Sequence, residues 1–290
     1  MRINGSTKVY GVIGNPISHS LSPMMQNLYL ERTGLDGVYA AFRVEEEQLG
    51  AMISGAAAMH LAGINVTVPH KQKVMDYLKE IDASAKAIGA VNTLVPIKGG
   101  FKGYNTDAEG LKRAIQEAGI RIRGQNCILL GAGGAAKAAA YVLAREGAKI
   151  IYVLNRSRER AELLAEEINR LFDRKVMIAL ALTEHDQIPL DAYLAVQTTS
   201  AGMYPNVDQA PIEDPAFYQK VRTAVDIVYT PAETRFMKYV KAAGGKAVGG
   251  LDMLIYQGLI AFELWNPGVN VDTETIETAK KQMRQLLEGK

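Results

Sequence analysis

A short glycine-rich segment lies between an apolar stretch and an alanine-rich stretch, and it constrains the fold of this chain more than any other feature. Cys127–Leu130 leads directly into Gly131–Ala136, and a helical pattern continues from there to Glu146. The spacing is G-x-G-x-x-A. The first glycine permits a tight turn, the second lets the backbone approach a pyrophosphate, and the small last residue keeps helix and strand close. The strand before and the helix after favour a dinucleotide-binding loop over an ordinary glycine turn.

Short apolar runs alternate with longer amphipathic stretches on both sides of this loop, which indicates an α/β fold with mainly parallel sheets. The predicted strands from here onward are Cys127–Leu130, Lys149–Leu154, Lys175–Leu182, Tyr193–Gln197, Ala224–Val228 and Lys246–Gly249. The predicted helices between them include Ala135–Glu146 and Arg158–Phe172. This series is about what a complete Rossmann-type domain requires.

The first third of the chain shows a second α/β pattern. Its predicted strands are Val9–Gly14, Val38–Val44 and Gly63–Val68, followed by a hairpin of Ala90–Pro96 and Phe101–Tyr104. Its predicted helices are Pro23–Thr33, with Ser22 as N-cap, then Glu46–His60 and Ala108–Ala118. The tail, Leu251–Leu287, reads as two helices broken at Asn266–Gly268. We therefore expect two domains, divided as residues 1–107, 108–249 and a C-terminal segment 250–290.

The residues after the second strand of the Rossmann-type series bear on the choice of cofactor. An NAD site usually has Asp or Glu at that strand end, but this chain has Asn155, Arg156 and Ser157, with Arg160 one turn later. Because an arginine can bind the extra phosphate of NADP in a bidentate manner, the pattern favours NADP. The alternative is a solvated basic start to a surface helix, which is the better interpretation of Arg158.

Polar side chains interrupt the apolar pattern of the first domain at positions where strands end. They are Ser20, Ser22, Asn65, Thr67, Lys71, Asn92, Asn105, Thr106 and Asp107. Taken singly, each has a structural explanation: Ser22 and Asp107 could cap helices, and Lys71 could be solvated. Because ligands of open α/β sheets collect at the C-terminal ends of the strands, their combination favours a ligand site.

Composition excludes several other classes. The 290 residues include 33 basic and 31 acidic side chains, so we expect neither nucleic acid nor a membrane surface as partner. The start of the chain lacks the apolar core of a signal peptide, and the one cysteine, Cys127, fits a reducing compartment, which suggests the cytoplasm. The four histidines show no ligand-like spacing, so we expect no metal site. We expect His70 to line a cleft or lie on the surface, Cys127 to be a small buried residue, and Trp265 to pack in the core or between the domains.

Several segments, in order along the whole chain, carry a resemblance to the shikimate dehydrogenase family. These segments are Gly14–Pro23, Asn65–Lys71, Gly89–Thr93, Gly103–Asp107, the glycine loop, Asn155–Ser157, Thr199–Met203, Asp226–Tyr229 and Gly250–Gln257. Members of this family reduce 3-dehydroshikimate to shikimate with NADPH, in the route to chorismate and the aromatic amino acids. The resemblance thus implies a substrate domain, an inserted NADP-binding domain, and C-terminal helices that return to the substrate domain.

The resemblance also implies roles for individual residues. Lys71 matches the catalytic lysine, and Asp107 matches its acidic partner. The matching substrate-binding positions are Ser20, Ser22, Thr67, Asn92, Asp107, Tyr229 and Gln257. The matching cofactor positions are Gly131, Ala132, Gly133, Gly134, Ala135, Asn155, Arg156, Ser157 and Arg160, with Ile227 and Gly250 at the nicotinamide end.

Three positions depart mildly from the family pattern, and alternatives to its activity stay open. Gln197, Lys137 and Ser157 stand where asparagine, arginine and threonine are frequent. The alternatives are a quinate/shikimate dehydrogenase with relaxed substrate or cofactor choice, a related enzyme that acts on aminated analogues, and a catalytically silent NADP-binding regulator. The silent regulator should lack Lys71 or Asp107, and this chain has both. The sequence leaves open whether the protein is a monomer or a homodimer.

Overall fold

A computed structural model describes residues 3–288 and contains two six-stranded sheets. The strands are β1 (Lys8–Gly14), β2 (Gly37–Arg43), β3 (Gly63–Val66), β4 (Glu80–Ile81), β5 (Thr93–Ile97), β6 (Gly100–Tyr104), β7 (Asn126–Leu130), β8 (Ile150–Asn155), β9 (Met177–Ala181), β10 (Tyr193–Gln197), β11 (Val221–Asp226) and β12 (Lys246–Val248). The α-helices are α1 (Ser22–Thr33), α2 (Leu49–Ala58), α3 (Ala83–Ile88), α4 (Thr106–Glu117), α5 (Gly134–Arg145), α6 (Arg158–Leu171), α7 (Pro215–Tyr218), α8 (Arg235–Ala242), α9 (Leu251–Trp265) and α10 (Thr273–Glu288).

The chain divides into two compact units, one around each sheet. The first unit contains the described residues up to Gly110 together with Ile255–Met283. The second contains Leu111–Leu254 and the described residues from Arg284 onward. No helix within residues 3–288 combines the length and the apolar character needed to cross a membrane.

The first sheet is mixed, in the order β2-β1-β3-β5-β6-β4. β1 pairs in parallel with β2 and β3, whereas β5 runs antiparallel to both β3 and β6. β5 and β6 form the predicted hairpin, in which Gly99 supplies a φ of +80°. The C-terminal ends of β1, β3 and β6 therefore lie at one edge of the sheet, together with the beginning of β5.

Hydrogen bonds as well as apolar packing hold helix α9 against the first sheet. The indole Nε1 of Trp265 donates to the carbonyl of Leu94 at 2.9 Å, and Tyr10 donates to Oδ1 of Asn266 at 2.8 Å. A Cβ on Gly63 of β3 would lie 2.4 Å from the Trp265 indole, so this contact requires a glycine. Trp265 is only 8% exposed, which confirms its prediction as a core residue.

The second sheet is parallel throughout, in the order β12-β11-β10-β7-β8-β9. This is the strand order of a Rossmann-type domain, with the topological switch between β7 and β10. Cys127 lies in β7 at the centre of the sheet, is fully buried, and is the free cysteine of the chain. Burial raises the pKa of its thiol to about 12.

Several predicted element boundaries differ from the structure. The predicted strand Gly63–Val68 ends at Val66, and the strand predicted from Ala90 begins at Thr93. The helix predicted over Glu46–His60 is a 3-10 turn, Glu46–Gln48, followed by α2. β11 begins three residues earlier than predicted and ends at Asp226. Apolar content alone extended the predicted strands into loops, and these loops contain the candidate site residues Thr67, Asn92 and Ile227.

Candidate active site and dinucleotide-binding loop

A lysine and an aspartate form an ion pair at the edge of the first sheet where the parallel strands end. Lys71 follows β3 and Asp107 lies in the first turn of α4, and Nζ of Lys71 is 2.7 Å from Oδ2 of Asp107. The side chains are 30% and 17% exposed, so the pair is shielded but accessible. A lysine beside a carboxylate can give up a proton as the ammonium, or take one up as the neutral amine, at a substrate oxygen placed next to it.

The backbone on both sides of this pair is held by hydrogen bonds. The carbonyl of Lys71 accepts from the amide of Val91 at 2.8 Å, which ties the loop after β3 to the segment before β5. On the other side, Oδ1 of Asn105 accepts from the amide of Ala108 at 3.1 Å. Asn105 thus caps α4, and the alternative interpretation of Asp107 as the cap of this helix is wrong. The Asp107 carboxylate is left to pair with Lys71.

Behind the ion pair, buried amide and hydroxyl groups form a continuous hydrogen-bonded chain. Tyr39 donates to Oδ1 of Asn65 at 2.7 Å, and Nδ2 of Asn65 donates to Oγ1 of Thr93 at 3.1 Å. Thr93 in turn contacts Oγ1 of Thr106 at 3.1 Å. Oδ1 of Asn92, which is 2% exposed, accepts from the amide of Thr106 at 2.7 Å. This chain fixes the start of α4, and with it the backbone of the neighbouring Asp107.

The sequence singled out Asn65, Asn92 and Thr106 in this chain but missed Tyr39 and Thr93. The signal for Thr93 was present, because it immediately follows Asn92. Burial raises the pKa of Tyr39 well above its usual value, and a hydrogen bond from the Ser22 side chain opposes that rise.

The predicted cap of α1 is wrong, since Ser22 is the first residue of the helix and Leu21 occupies the N-cap position without a side-chain bond. The hydroxyl of Ser20 accepts instead from the amide of Ser22 at 3.3 Å. The side-chain hydroxyl of Ser22 instead forms a hydrogen bond with Tyr39. Both serines are half-buried near the end of β1, and Thr67 is half-buried after β3.

Gln257 lies in the part of α9 that belongs to the first unit, and it contacts α4 at a glycine. A Cβ on Gly110 of α4 would lie 2.7 Å from the backbone nitrogen of Gln257, so the two helices touch with no side chain between them. Gln257 is 8% exposed. Six of the seven predicted substrate positions, all except Tyr229, therefore lie in the first unit.

His70 has a structural position, and its predicted placement in a cleft or on the surface is wrong. The side chain is fully buried, and Nε2 is 2.8 Å from the carbonyl of Val44. A carbonyl can only accept, so Nε2 carries the proton and donates it. His70 thereby fastens the loop that contains Lys71 to the end of β2. Among the described residues, no group of His, Cys, Asp and Glu side chains is arranged to hold a metal ion.

In the second unit, the glycine loop lies at the switch point between β7 and β10. Gly131 has a φ of +109°, and a Cβ there would lie 2.7 Å from Oγ1 of Thr198, which follows β10. Gly133 and Gly134 face open space, where added Cβ atoms would meet nothing within 4 Å. Ala136 is fully buried against the sheet. Exposed amides at the start of α5 form a cradle for a pyrophosphate, and Ala132 and Ala135 complete this loop.

In the segment after β8, one of the three arginines forms ion pairs among the described residues, and Arg156 and Arg160 form none. Ser157 caps α6 by accepting from the amide of Arg160 at 3.4 Å, and Nδ2 of Asn155 donates to the carbonyl of Ser157 at 2.9 Å. Arg158 is held by Glu162 at 2.9 Å and Glu184 at 2.6 Å. Arg156 is exposed and has no ion-pair partner within residues 3–288. Its guanidinium is therefore available for an anionic ligand.

Ile227, Tyr229 and Gly250 lie in the loops after β11 and β12 of the second unit. The amide of Gly250 donates to the carbonyl of Val228 at 3.1 Å. A Cβ on Gly250 would lie 2.1 Å from the carbonyl oxygen of Ile227, so the two backbones touch directly. Tyr229 is half-buried, and burial raises the pKa of its hydroxyl.

A parallel sheet with a glycine loop at its switch point, accompanied by a separate mixed α/β unit with a lysine–aspartate pair, defines a Rossmann-type dehydrogenase. Three family models match this chain in order. The shikimate dehydrogenase substrate binding domain matches residues 12–94, the shikimate/quinate 5-dehydrogenase model matches 112–226, and the shikimate 5′-dehydrogenase C-terminal domain matches 250–279. The chain belongs to the shikimate dehydrogenase family.

Individual relatives cover nearly the whole chain. The NADP⁺-dependent shikimate dehydrogenase of Desulforamulus reducens is 42% identical over 91% of both chains. A crystal structure of a shikimate dehydrogenase in complex with NADP⁺ has a TM-score of 0.88 and 40% identity, covering 97% of each chain. The shikimate 5-dehydrogenase of Listeria monocytogenes, in complex with shikimate and NAD, has a TM-score of 0.89 and 33% identity over 98% of each.

Proposed function

We propose that this protein is an NADP-dependent dehydrogenase that interconverts 3-dehydroshikimate and shikimate in the biosynthesis of chorismate and the aromatic amino acids. The observation that carries the proposal is the contact between Lys71 and Asp107 at 2.7 Å, at a sheet edge that also holds Ser20, Ser22 and Thr67. Shikimate has one carboxylate and three hydroxyl groups, and hydroxyl and amide side chains suit such a ligand. The curated relative from D. reducens has this activity in its name.

In the proposed mechanism, Lys71 and Asp107 carry out the proton transfer at the oxygen of the carbonyl group that is reduced. During reduction, the ammonium of Lys71 donates a proton toward the developing alkoxide, and Asp107 holds the lysine in orientation and bonds the same region of the substrate. Ser20, Ser22, Thr67, Asn92 and Gln257 position the ring from the first unit. Tyr229 is proposed as a further substrate-binding residue. Such orientation supplies much of the rate enhancement when two reactants must meet.

The second unit is proposed to hold NADP, which supplies the hydride. The open amides of Gly131–Ala135 suit the pyrophosphate, because a helix N-terminus carries unpaired donors and positive partial charge. Arg156 is proposed to bind the 2′-phosphate, with Asn155, Ser157 and Arg160 beside it. Ile227 and Gly250 are proposed to line the nicotinamide.

NADP is favoured over NAD by the charge at the end of β8. Asn155 ends this strand, so no carboxylate stands there to repel a 2′-phosphate. Arg156 next to it is exposed and unpaired within the described part of the chain, whereas Arg158 is held by two glutamates. This difference separates Arg156 from the solvated surface charge that Arg158 represents.

The domain roles and the cellular setting belong to the same proposal. We assign substrate binding to residues 1–107, NADP binding to 108–249, and packing on the substrate domain to 250–290. The partners are expected to be small molecules, with neither nucleic acid nor membrane involved, and the protein is either a monomer or a homodimer. The one cysteine, Cys127, suits a reducing compartment such as the cytoplasm.

The test is a set of initial rates of nicotinamide reduction with shikimate or quinate, each paired with NADP⁺ or NAD⁺. We expect a strong preference for shikimate with NADP⁺. Comparable rates with quinate or NAD⁺ would place the protein among dehydrogenases of relaxed specificity. Absence of activity in all four pairings, with NADPH still bound in a fluorescence titration, would overturn the proposal in favour of a silent NADP-binding regulator.

A further inference from the structure

We infer that Asp226, a buried aspartate at the end of β11, is a positioning residue that holds the nicotinamide-side loops of the second unit in their working arrangement. The inference rests on the proposed function, because it concerns the loop with Ile227 and Tyr229. Asp226 itself is fully buried and has no role of its own among the predicted site residues.

Three donors from three different segments meet at the Asp226 carboxylate. Oδ1 accepts from the amide of Val228 at 2.9 Å and from Nε2 of Gln197 at 3.3 Å. Oδ2 accepts from Oγ1 of Thr234 at 2.6 Å. One carboxylate therefore joins the end of β10, the loop after β11 and the beginning of α8.

Gln197 and Thr234, both fully buried, extend this network into the neighbouring loops. Nε2 of Gln197 also donates to the carbonyls of Thr199 and Ala201 at 3.2 and 3.1 Å, and its Oε1 accepts from the amide of Thr199. Oγ1 of Thr234 accepts from the amide of Met237 at 3.2 Å and so caps α8. The network thus organises the backbone on both sides of β11 at the ligand-facing end of the sheet.

The same network sets the backbone of the predicted nicotinamide site. The amide of Val228 is bound by Asp226, and its carbonyl accepts from the amide of Gly250 at 3.1 Å. The amide of Ile227 donates to the carbonyl of Gln197 at 3.1 Å. Gly250 touches the Ile227 carbonyl so closely that no Cβ fits between them. A movement of the Asp226 side chain would therefore shift Val228, and through the hydrogen bond from Gly250 to Val228 it would shift Gly250 and the neighbouring Ile227.

A carboxylate suits this position better than an amide, because all three partners donate to it. An asparagine would present one NH₂ group to a site built from donors, and at least one hydrogen bond would be lost. No lysine or arginine forms an ion pair with Asp226 within residues 3–288, so hydrogen bonds alone offset the burial of the charge. Burial of an unpaired carboxylate is unfavourable for folding, which indicates that its advantage lies in orientation and not in stability.

The test compares Asp226→Asn with the wild-type chain by steady-state kinetics and by binding of two probes. NADPH reaches the nicotinamide end of the site, whereas adenosine 2′,5′-bisphosphate reaches only the glycine loop and Arg156. We expect Asp226→Asn to lower kcat with shikimate and NADP⁺ on the order of 10-fold to 100-fold, since about 1 Å of misplacement can cost about 100-fold. Its Kd for NADPH should rise, and its Kd for adenosine 2′,5′-bisphosphate should stay at the wild-type value.

Two further variants separate positioning from general damage. Asp214→Asn makes the same charge change in the same unit, at an exposed cap where Oδ1 accepts from the amide of Ala216 at 2.9 Å, and it should have wild-type kinetics. Thr234→Val removes one of the three bonds to Asp226 and should lower kcat, whereas Thr234→Ser keeps the hydroxyl and should restore most of it.

The outcomes distinguish this inference from the proposed function. Wild-type kcat in Asp226→Asn would overturn the inference and leave the proposed function intact. Equal weakening of both probes would also overturn it, because Asp226 would then serve only the stability of the unit. An inactive wild-type protein would overturn the proposed function. In that case the difference between the changes in Kd for NADPH and for adenosine 2′,5′-bisphosphate would still test the role of Asp226.

Discussion

The buried carboxyl of Asp226 should give the stability of the protein a pH dependence that Asp226→Asn removes. Burial raises the pKa of Asp226 from its ordinary value of 3.8 to about 6, although hydrogen bonds from Thr234, Val228 and Gln197 oppose the rise. The native state therefore binds this proton more tightly than the unfolded chain. The resulting stabilisation is fully present below pH 3.8 and is lost as the pH rises through about 6.

The magnitude follows from the two pKa values. At about 1.36 kcal/mol per pKa unit, the full difference corresponds to about 3 kcal/mol. Because titration is spread over a range, about 2 kcal/mol of this change falls between roughly pH 4 and pH 7. About 1.4 kcal/mol falls between roughly pH 5 and pH 7, where the rest of the protein is easier to keep folded.

Urea unfolding of the wild-type protein and of Asp226→Asn at several pH values from about 5 to 7 measures this effect. Subtracting the two curves cancels the other titrating groups, which are common to both proteins. We expect the stability of the wild type relative to the variant to fall by about 1.4 kcal/mol as the pH rises across this range. A difference independent of pH, or one of the opposite sign, would refute the reasoning and show that the three hydrogen bonds outweigh burial.

Three further substitutions test the candidate site. Lys71→Met should abolish turnover and leave the Kd for shikimate largely intact, while unfolding free energy changes by less than about 1 kcal/mol because the ion pair is partly exposed; equal losses in kcat and affinity would make Lys71 chiefly a binding residue. Arg156→Ala should raise the KM for NADP⁺ about 10-fold or more, from about 1.5–3 kcal/mol for a charged hydrogen bond. The KM for NAD⁺ should not change, and Arg158→Ala is the matched control; equal effects on both cofactors would contradict the assignment. Gly110→Ala should destabilise the protein by about 1–3 kcal/mol in thermal or urea unfolding and raise the KM for shikimate, because its Cβ would meet the α9 backbone at 2.7 Å. Gly55→Ala in open space is its control, and equal stability of the two variants would show that α4 and α9 can separate at no cost.

Periodic and motif-bearing segments of this chain could be predicted from sequence. Tyr193–Gln197 is a strand with the predicted bounds, and the glycine loop lies between β7 and α5 as its spacing required. The hairpin of β5 and β6 is confirmed as well. In these segments the local pattern and the tertiary environment favour the same structure, so the pattern alone was sufficient.

Other features could not be predicted because tertiary contacts decide them. β4 has only two residues, Glu80–Ile81, and exists because β6 lies beside it. His70 sits in a polar sequence, yet its ring is buried against the Val44 carbonyl. Ser22 looked like a helix cap, but α1 begins at Ser22 and Leu21 occupies the N-cap position. In the first two cases the deciding partner is distant in sequence, and in the third the helix begins one residue earlier than the local pattern predicts.

In the candidate site, too, some residues could be predicted from sequence and others could not. Lys71 and Asp107 were identified from residue type, position and family resemblance, and the sheet brings them to 2.7 Å. Of the groups behind them, Thr106 was singled out as well, whereas Tyr39 and Thr93 were missed because each looks like an ordinary strand residue. Their hydrogen bonds exist only after β3, β5 and β6 have paired, so sequence reveals the proposed catalytic groups more readily than the residues that support them.

The burial of Cys127 means that its rate of alkylation measures how often the second unit opens. The sulfur lies in the central strand of the second sheet, fully buried and with a thiol pKa of about 12, so a thiolate reagent finds no target in the native protein. Labelling at this residue requires β7 to be exposed, and its rate therefore measures how often the second unit opens. Since the first unit has no thiol, alkylation of the unmodified chain follows the opening of one unit alone, and bound NADPH should slow it.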